Sequence, residues 1–416
     1  MVNFPKNFLW GSSTSAYQVE GGITNDWSEW EKENAERLAR EAKDYWQDWQ
    51  QEKFPEMFNP PNYICGEAVN SYNMVDEDIE CIKKLNLNAY RFGIEWARLE
   101  PEKGKIDQKE ISHYREFIKK LKQNNIEPVL TIWHWTNPLW VSKSGGWENK
   151  KNIQDFIRFS EVVVKELGDL VTYWVTLNEP MMHIGHGYLD GKFPPNHKKS
   201  FLRALKVFKN FVQAHKEIYK IIHKNNPKAQ VSIAMTTGYF SSASGWNPIE
   251  LLIVKLGHYF RNEWFLKKVG GYLDYIGMNY YHHDRIVWHP PFKKNLNKQV
   301  NDRGWEIYPE GIYHVLKSYK KFKKPILILE NGTADADDDH RADFIKDHLY
   351  HVGRAIQEGV DVRGYFYWSL LDNFEWAEGF WPRFGLFRVD ENFRRIPRSS
   401  CRVYADICKN NEFPRQ

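Results

Sequence analysis

Four cysteines in 416 residues, Cys65, Cys81, Cys401 and Cys408, are too few and too scattered for a disulfide framework or a thiolate metal site. They read as reduced thiols, which leads us to expect a cytoplasmic protein. Long apolar runs are missing too. Nothing approaches the roughly 18 residues needed to span a bilayer, and the opening MVNFPKNFLWGSS has neither a charged head with an apolar stretch nor a cleavage signal. Charge of one sign is also lacking: 58 Lys and Arg against 54 Asp and Glu leave a formal +4. That balance argues for no nucleic-acid and no membrane partner. The basic clusters PFKKNLNK (291–298) and YKKFKK (319–324) read as solvated faces.

Several chemistries are excluded by what is absent. Gly-x-Ser-x-Gly does not occur, so serine hydrolysis has no foothold. No glycine-rich phosphate loop follows an early strand. His183 with His186, and His282 with His283 and Asp284, are incomplete as metal sets. Asp335, Asp337 and Asp339 have calcium-loop spacing, but His340 stands where the loop needs glycine and Lys346 where it needs glutamate. A capped helix start is the better reading, and neither metal nor organic cofactor is expected.

What is present is aromatic and rhythmic. Eighteen Trp, 22 Tyr and 25 Phe accompany a mean hydropathy of −0.65. Most of those rings will fill a core, and a minority suit a wet cleft that takes a sugar-like ligand. Short β-type runs recur at 8–17, 87–96, 127–135, 171–179, 229–237, 275–281, 325–331 and 362–370. Helical patterns lie between them, such as 107–125, where Ile111, Tyr114, Phe117, Ile118 and Leu121 form one stripe. Others are 153–167, 201–224 and 340–359, and a charged helix at 26–49 is inserted after the first run. Eight strands alternating with helices predict an α/β fold, a (β/α)8 TIM barrel forming a single domain over 1–416. An open doubly wound sheet is the alternative.

In such a barrel, the C-terminal strand ends face the active-site mouth. Two core-like runs finish there on glutamate: TYWVTLNEP on Glu179, and KPILILENG on Glu330. Gln18 and Glu20 follow the first strand, Arg91 and Glu95 lie on the second, and His134 ends the third. Asn178 precedes Glu179, Asn279 and Tyr281 end the sixth strand, and Trp368, Glu375 and Trp376 end or follow the eighth. Singly, each could be a solvated loop residue or a satisfied core group. Jointly, two carboxylates across one mouth suit glycosidic bond cleavage, which needs one acid and one anion. Arg91 would keep one glutamate ionised. Gln18, His134, Asn178 and Glu375 offer donors and acceptors for hydroxyls.

The motifs NFLWGSSTSAYQVEGG, YRFGIEWARLEPEKG, TLNEP, GMNYY, GWEIYPEG, ILENG and YWSLLDNFEWAEGFWPRFGLF occur in the order seen in glycoside hydrolase family 1. The chain resembles that family, the retaining β-glucosidases and β-galactosidases, over nearly its full length. The resemblance implies that Glu179 is the general acid/base and Glu330 the nucleophile. It implies that Asn178 holds the glycone 2-hydroxyl, while Arg91 and Tyr281 orient Glu330. Gln18, His134 and Glu375 would bind further hydroxyls, Trp368 would stack, and Trp376 would donate a hydrogen bond. Asn279 would support the site from behind, and Trp305 and Phe384 would line the leaving-group side.

Members acting on 6-phosphorylated glycosides carry serine and lysine where this chain has Glu375, so a non-phosphorylated β-D-glycoside is the expected substrate. Departures are a short chain, trimmed segments between strands five and seven, NSY (70–72) in place of DHY, and the insertion at 26–53. Two rivals share these residues: a transglycosidase, and a silent glycan-binding relative.

Overall fold

The computed structural model describes residues 1–413. Eight parallel strands close into a barrel: Leu9–Ser13, Ala89–Gly93, Glu127–Trp133, Tyr173–Asn178, Gln230–Ser242, Ile276–Ile286, Ile326–Asn331 and Val362–Trp368. Each pairs with its neighbour in sequence, and the first pairs with the eighth from Leu9 opposite Gly364 to Ser13 opposite Trp368. The expected barrel is therefore present, and the open sheet is excluded.

Burial on both faces explains why these runs are apolar almost throughout rather than alternating. The inward set includes Ala89, Val129, Val175, Ala234, Leu327, Leu329 and Phe366, which form one cluster inside the barrel. Gly11 is required by this packing, since a Cβ there would lie 2.3 Å from the Phe366 ring. The outward faces meet helices such as Gln108–Gln123, where Ile111, Tyr114, Ile118 and Leu121 are buried. Asp107 caps that helix through Lys109 N at 2.9 Å, and Asn149 caps Lys150–Leu167 through Lys151 N at 3.0 Å.

Strand ends differ from the expected limits in an informative way. The first strand stops at Ser13, and Gln18 and Glu20 sit on a short helix, Ala16–Glu20. Glu95 caps another short helix, Trp96–Leu99. The fifth and sixth strands instead run on to Ser242 and Ile286, paired beyond the barrel rim. The regular ladder slips between Val175 and Asn178, between Met278 and Asn279, and between Ile328 and Asn331. Such irregularities at a barrel rim re-aim side chains. Here they fall where the strands deliver Asn178, Asn279 and Glu330.

The insertion forms a helix over Asp26–Tyr45 and a second over Asp48–Lys53. Asn25 and Ser28 make a reciprocal capping box at its start. Its buried face, Trp27, Trp30, Ala35, Ala39 and Ala42, turns toward the barrel mouth. The aspartate run also behaves as a helix start: Asp335 accepts from His340 N at 3.0 Å and Arg341 N at 2.8 Å, ahead of Arg341–Gln357. No metal-ligand cluster occurs among the described residues. No described helix is long and apolar enough to cross a membrane.

Candidate active site

The strand ends open into a cavity of about 690 Å³. Gln18, His134, Asn178, Glu179, Tyr281, Trp305, Glu330, Trp368, Glu375, Trp376 and Phe384 all line it. Arg91 and Asn279 lie beneath its floor, both fully buried. The thirteen residues selected from sequence thus come together from seven of the eight strands and their loops. Glu20 and Glu95 do not join them. Glu20 accepts from the Tyr114 hydroxyl at 2.7 Å and from Arg98 Nε at 3.1 Å. Glu95 accepts from the Thr136 hydroxyl at 2.8 Å. His183 packs its ring on Trp133 and Phe211, and His186 reaches Asp190 instead, so the pair forms no joint site.

The floor is one hydrogen-bonded network. The Arg91 guanidinium donates to Glu330 Oε1 through Nη1, to Asn178 Oδ1 at 2.7 Å through Nη2, and to the Thr131 hydroxyl at 3.1 Å through Nε. Those contacts fix the Asn178 amide with its oxygen toward Arg91 and its nitrogen toward His134 Nε2, 2.9 Å away. Burial and the Arg91 charge hold His134 far below its ordinary pKa, so the ring is neutral. Nε2 then accepts, Nδ1 carries the hydrogen, and that buried N–H has no protein partner. A donor left unpaired beside a cleft is what a ligand hydroxyl can satisfy.

Glu179 and Glu330 have contrasting surroundings. The Tyr281 hydroxyl donates to Glu330 Oε2 at 2.9 Å, so both carboxylate oxygens are bound by donors. Glu179 accepts the Asn279 amide at 2.9 Å on Oε1, and the Thr236 hydroxyl adds a smaller stabilisation of its charged form. Burial, then repulsion from Glu330, pushes the Glu179 pKa up to about 7. Burial pushes Glu330 upward as well, but Arg91 and Tyr281 oppose it. One proton shared by the pair therefore rests on Glu179.

The walls are aromatic and amide-rich. Gln18 is clamped at both ends: its oxygen accepts from the Ser15 hydroxyl at 2.7 Å, and its nitrogen donates to Phe374 O at 2.6 Å and Asn373 Oδ1 at 3.1 Å. Glu375 faces Arg303 at 3.9 Å, and burial still raises its pKa to about 8. The His134 ring lies nearly parallel to Trp376, with 17° between planes and 5.9 Å between centroids. On the outer side, Trp305 stacks under the Arg303 guanidinium at 3.7 Å and packs near Phe384. The inserted helix closes this side with Arg37, Leu38, Glu41 and Tyr45.

Sequence reasoning passed over Arg303, Arg261, Asn373 and Thr236. Asn373 stood inside the eighth-strand motif and was within reach. Arg303 sits in an irregular connection, and Arg261 in a helical stretch between the fifth and sixth strands whose pattern does not mark it as facing the cleft.

With that geometry in place, the comparisons with known proteins are decisive. The family model described as Glycosyl hydrolase family 1 matches residues 1–294 and 267–413. The chain belongs to this family. It is an O-glycosyl hydrolase. Among relatives of this family 1 enzyme, the 1,4-beta-D-glucan glucohydrolase of Thermotoga neapolitana is 34% identical, with 99% of each chain covered. That alignment runs to 463 positions, more than this chain has residues, so the relative carries segments that are trimmed here. Solved structures agree. A beta-glycosidase from Pyrococcus horikoshii is 35% identical at a TM-score of 0.86, covering 100% of this chain and 96% of its own. The beta-glucosidase from Thermotoga maritima in complex with castanospermine is 30% identical, again at 0.86, with 100% of both chains covered.

Proposed function

We propose that the protein hydrolyses terminal, non-phosphorylated β-D-glycosides with retention, as one catalytic domain. The observation that carries this reading is the unequal pair at the cavity floor: Glu330 held by Arg91 and Tyr281, Glu179 held mainly by the Asn279 amide. Glu330, ionised, attacks the anomeric carbon and forms an ester to the sugar. Glu179, protonated, gives its proton to the glycosidic oxygen as the bond to the leaving group breaks. Glu179, now a carboxylate, takes a proton from water, which attacks the same carbon and frees Glu330.

Asn178, Gln18, His134 and Glu375 bind the glycone hydroxyls, Trp368 gives a ring face and Trp376 an N–H. Arg91, Tyr281 and Asn279 hold the carboxylates in place, and Trp305 and Phe384 flank the leaving group. Glu375 at this position favours an unphosphorylated sugar, because a carboxylate beside a phosphate is repulsive. The relatives' names, beta-glucosidase and 1,4-beta-D-glucan glucohydrolase, support a glucoside as the first substrate to try. Four buried, unpaired cysteines fit a reducing cytoplasm.

A panel of nitrophenyl β-glycosides tests the activity, with Glu179→Gln and Glu330→Gln alongside. Each variant should lose nearly all turnover. A 2-fluoro glycoside with a good leaving group should add one glycosyl mass to the peptide containing Glu330. Near-normal activity in either variant, or a label elsewhere, sinks the assignment. Product analysis with an added alcohol acceptor separates hydrolysis from transglycosylation.

A further inference from the structure

The leaving-group side of the cavity holds a cation for which the hydrolysis above finds no use. Arg261 lies in the helical turn Tyr259–Glu263, partly buried, and lines the cleft together with Glu179 and Thr236. Its one hydrogen bond runs from Nη2 to the Thr236 hydroxyl at 3.4 Å, long for such a contact. Among the described residues no carboxylate reaches it within ion-pair distance. Glu179 is bound by Asn279, and Asp284 is bound by Lys293.

Three of the other cations bordering this space are engaged. Arg303 pairs with Glu378, Arg37 with Glu41, and the Lys192 ammonium donates to the Tyr45 hydroxyl. Burial presses the Arg261 pKa downward, opposed by the charges of Glu179 and Asp284. Burial and then Arg261, Lys293 and Arg303 hold the His282 ring neutral.

Service to Glu179 does not explain Arg261. A nearby cation lowers a carboxylate's pKa, and here it opposes the raised value that a proton donor needs. A planar guanidinium with free N–H groups is suited to two parallel hydrogen bonds from an oxyanion.

We propose that Arg261 recognises a negatively charged leaving group, so that the preferred substrates are β-glycosides whose aglycone carries a carboxylate, sulfate or phosphate. The oxyanion seats on the guanidinium while Glu179 protonates the glycosidic oxygen, and Lys293 offsets Asp284 beside it. This proposal rests on the β-glycosidase reading and deepens it.

The test pairs aryl β-glucosides of similar leaving-group acidity, 3-carboxyphenyl against 3-carbamoylphenyl, with 3-sulfophenyl and 3-phosphonophenyl arms to rank the oxyanions. The wild type should favour the carboxylate over the amide in kcat/KM by about tenfold at low salt, less at high salt. Arg261→Met should remove that ratio, and Arg261→Lys should keep part of it. No preference in the wild type, a preference that survives Arg261→Met, or equal losses on both substrates would each overturn the proposal. Hydrolysis of 4-nitrophenyl β-glucoside with none of these aryl glucosides turned over overturns the proposal alone. Failure on every glycoside of the nitrophenyl panel overturns the β-glycosidase reading with it.

Discussion

Arg91 joins two residues of the cavity floor: one guanidinium nitrogen binds the Glu330 carboxylate and the other the Asn178 amide oxygen, at 2.7 Å. The side chain is fully buried, so its charge is neutralised by Glu330 rather than by water. Removing one member of such a pair leaves the other buried and unmatched, which costs about 3–5 kcal/mol. Arg91→Met should therefore lower thermal stability and cut kcat/KM by about a hundredfold or more. Arg91→Lys should rescue little, since one ammonium cannot bind both partners in the same plane. Melting curves and aryl-glycoside kinetics check both statements. A lysine variant with near wild-type kinetics would refute the claim that the two-armed contact matters.

Glu179 links stability to pH with the opposite sign from an ordinary paired carboxylate. Its folded pKa is about 7 against a reference of 4.5. Between those values the native state keeps a proton that the unfolded chain has released. Native stability thus falls as pH rises through this window, and the full cost of the buried charge is present above it. Glu179→Gln should then be more stable than the wild type at pH ~8, by on the order of 2 kcal/mol, and no more stable near pH ~4.5. Denaturant titrations at the two pH values measure the difference. Equal gains at both would mean that packing, not charge, is responsible. Glu375, raised to about 8, adds a contribution of the same sign.

The inserted helix supports the glycone wall from behind. Trp27 has no exposed surface and meets Trp376 at 4.7 Å and Phe193 at 4.9 Å between centroids. Trp376 in turn backs the His134 ring. Trp27→Ala should destabilise the protein by about 3–5 kcal/mol. With its backing gone, Trp376 should bind sugar less well, raising KM for an aryl glycoside more than it lowers kcat. Trp27→Phe should restore most of the loss in both. If the alanine variant kept its KM, the helix would be a surface addition with no part in the cleft.

How much of this was legible beforehand follows the physics of each feature. Barrel strands declare themselves because both faces are buried, so Ile326, Leu327, Ile328 and Leu329 form an unbroken apolar run. The polar residues that interrupt such runs, Asn178 with Glu179 and Glu330, were readable for the same reason. Register slips at Val175, Met278 and Ile328 were not, since they arise from pairing with a neighbouring strand. Glu20 and Glu95 looked like cleft residues until Tyr114, Arg98 and Thr136 were seen to satisfy them. Arg98 and Tyr114 lie 78 and 94 residues from Glu20, and Thr136 lies 41 from Glu95, so no local pattern marks those contacts. Arg261 and Arg303 come from connections whose path only the tertiary structure sets.

Asn279 offers a test of the proton balance itself. Its amide donates to Glu179 Oε1 at 2.9 Å and lies 3.3 Å from Asn178 Oδ1. A donor to a carboxylate stabilises the charged form, so its loss raises that group's pKa. It acts in the same direction on Glu330. Glu330 must be ionised and Glu179 protonated for the first step, so these two groups set the acid and basic limbs of kcat/KM. Asn279→Ala should move both limbs to higher pH. Asn279→Asp should move the basic limb at least as far, because a second negative charge beside Glu179 disfavours its ionisation. A pH profile of each variant on a neutral aryl glycoside reads the shift directly. A basic limb that stayed in place, or moved down, would mean that Glu179 is not the group whose ionisation ends activity.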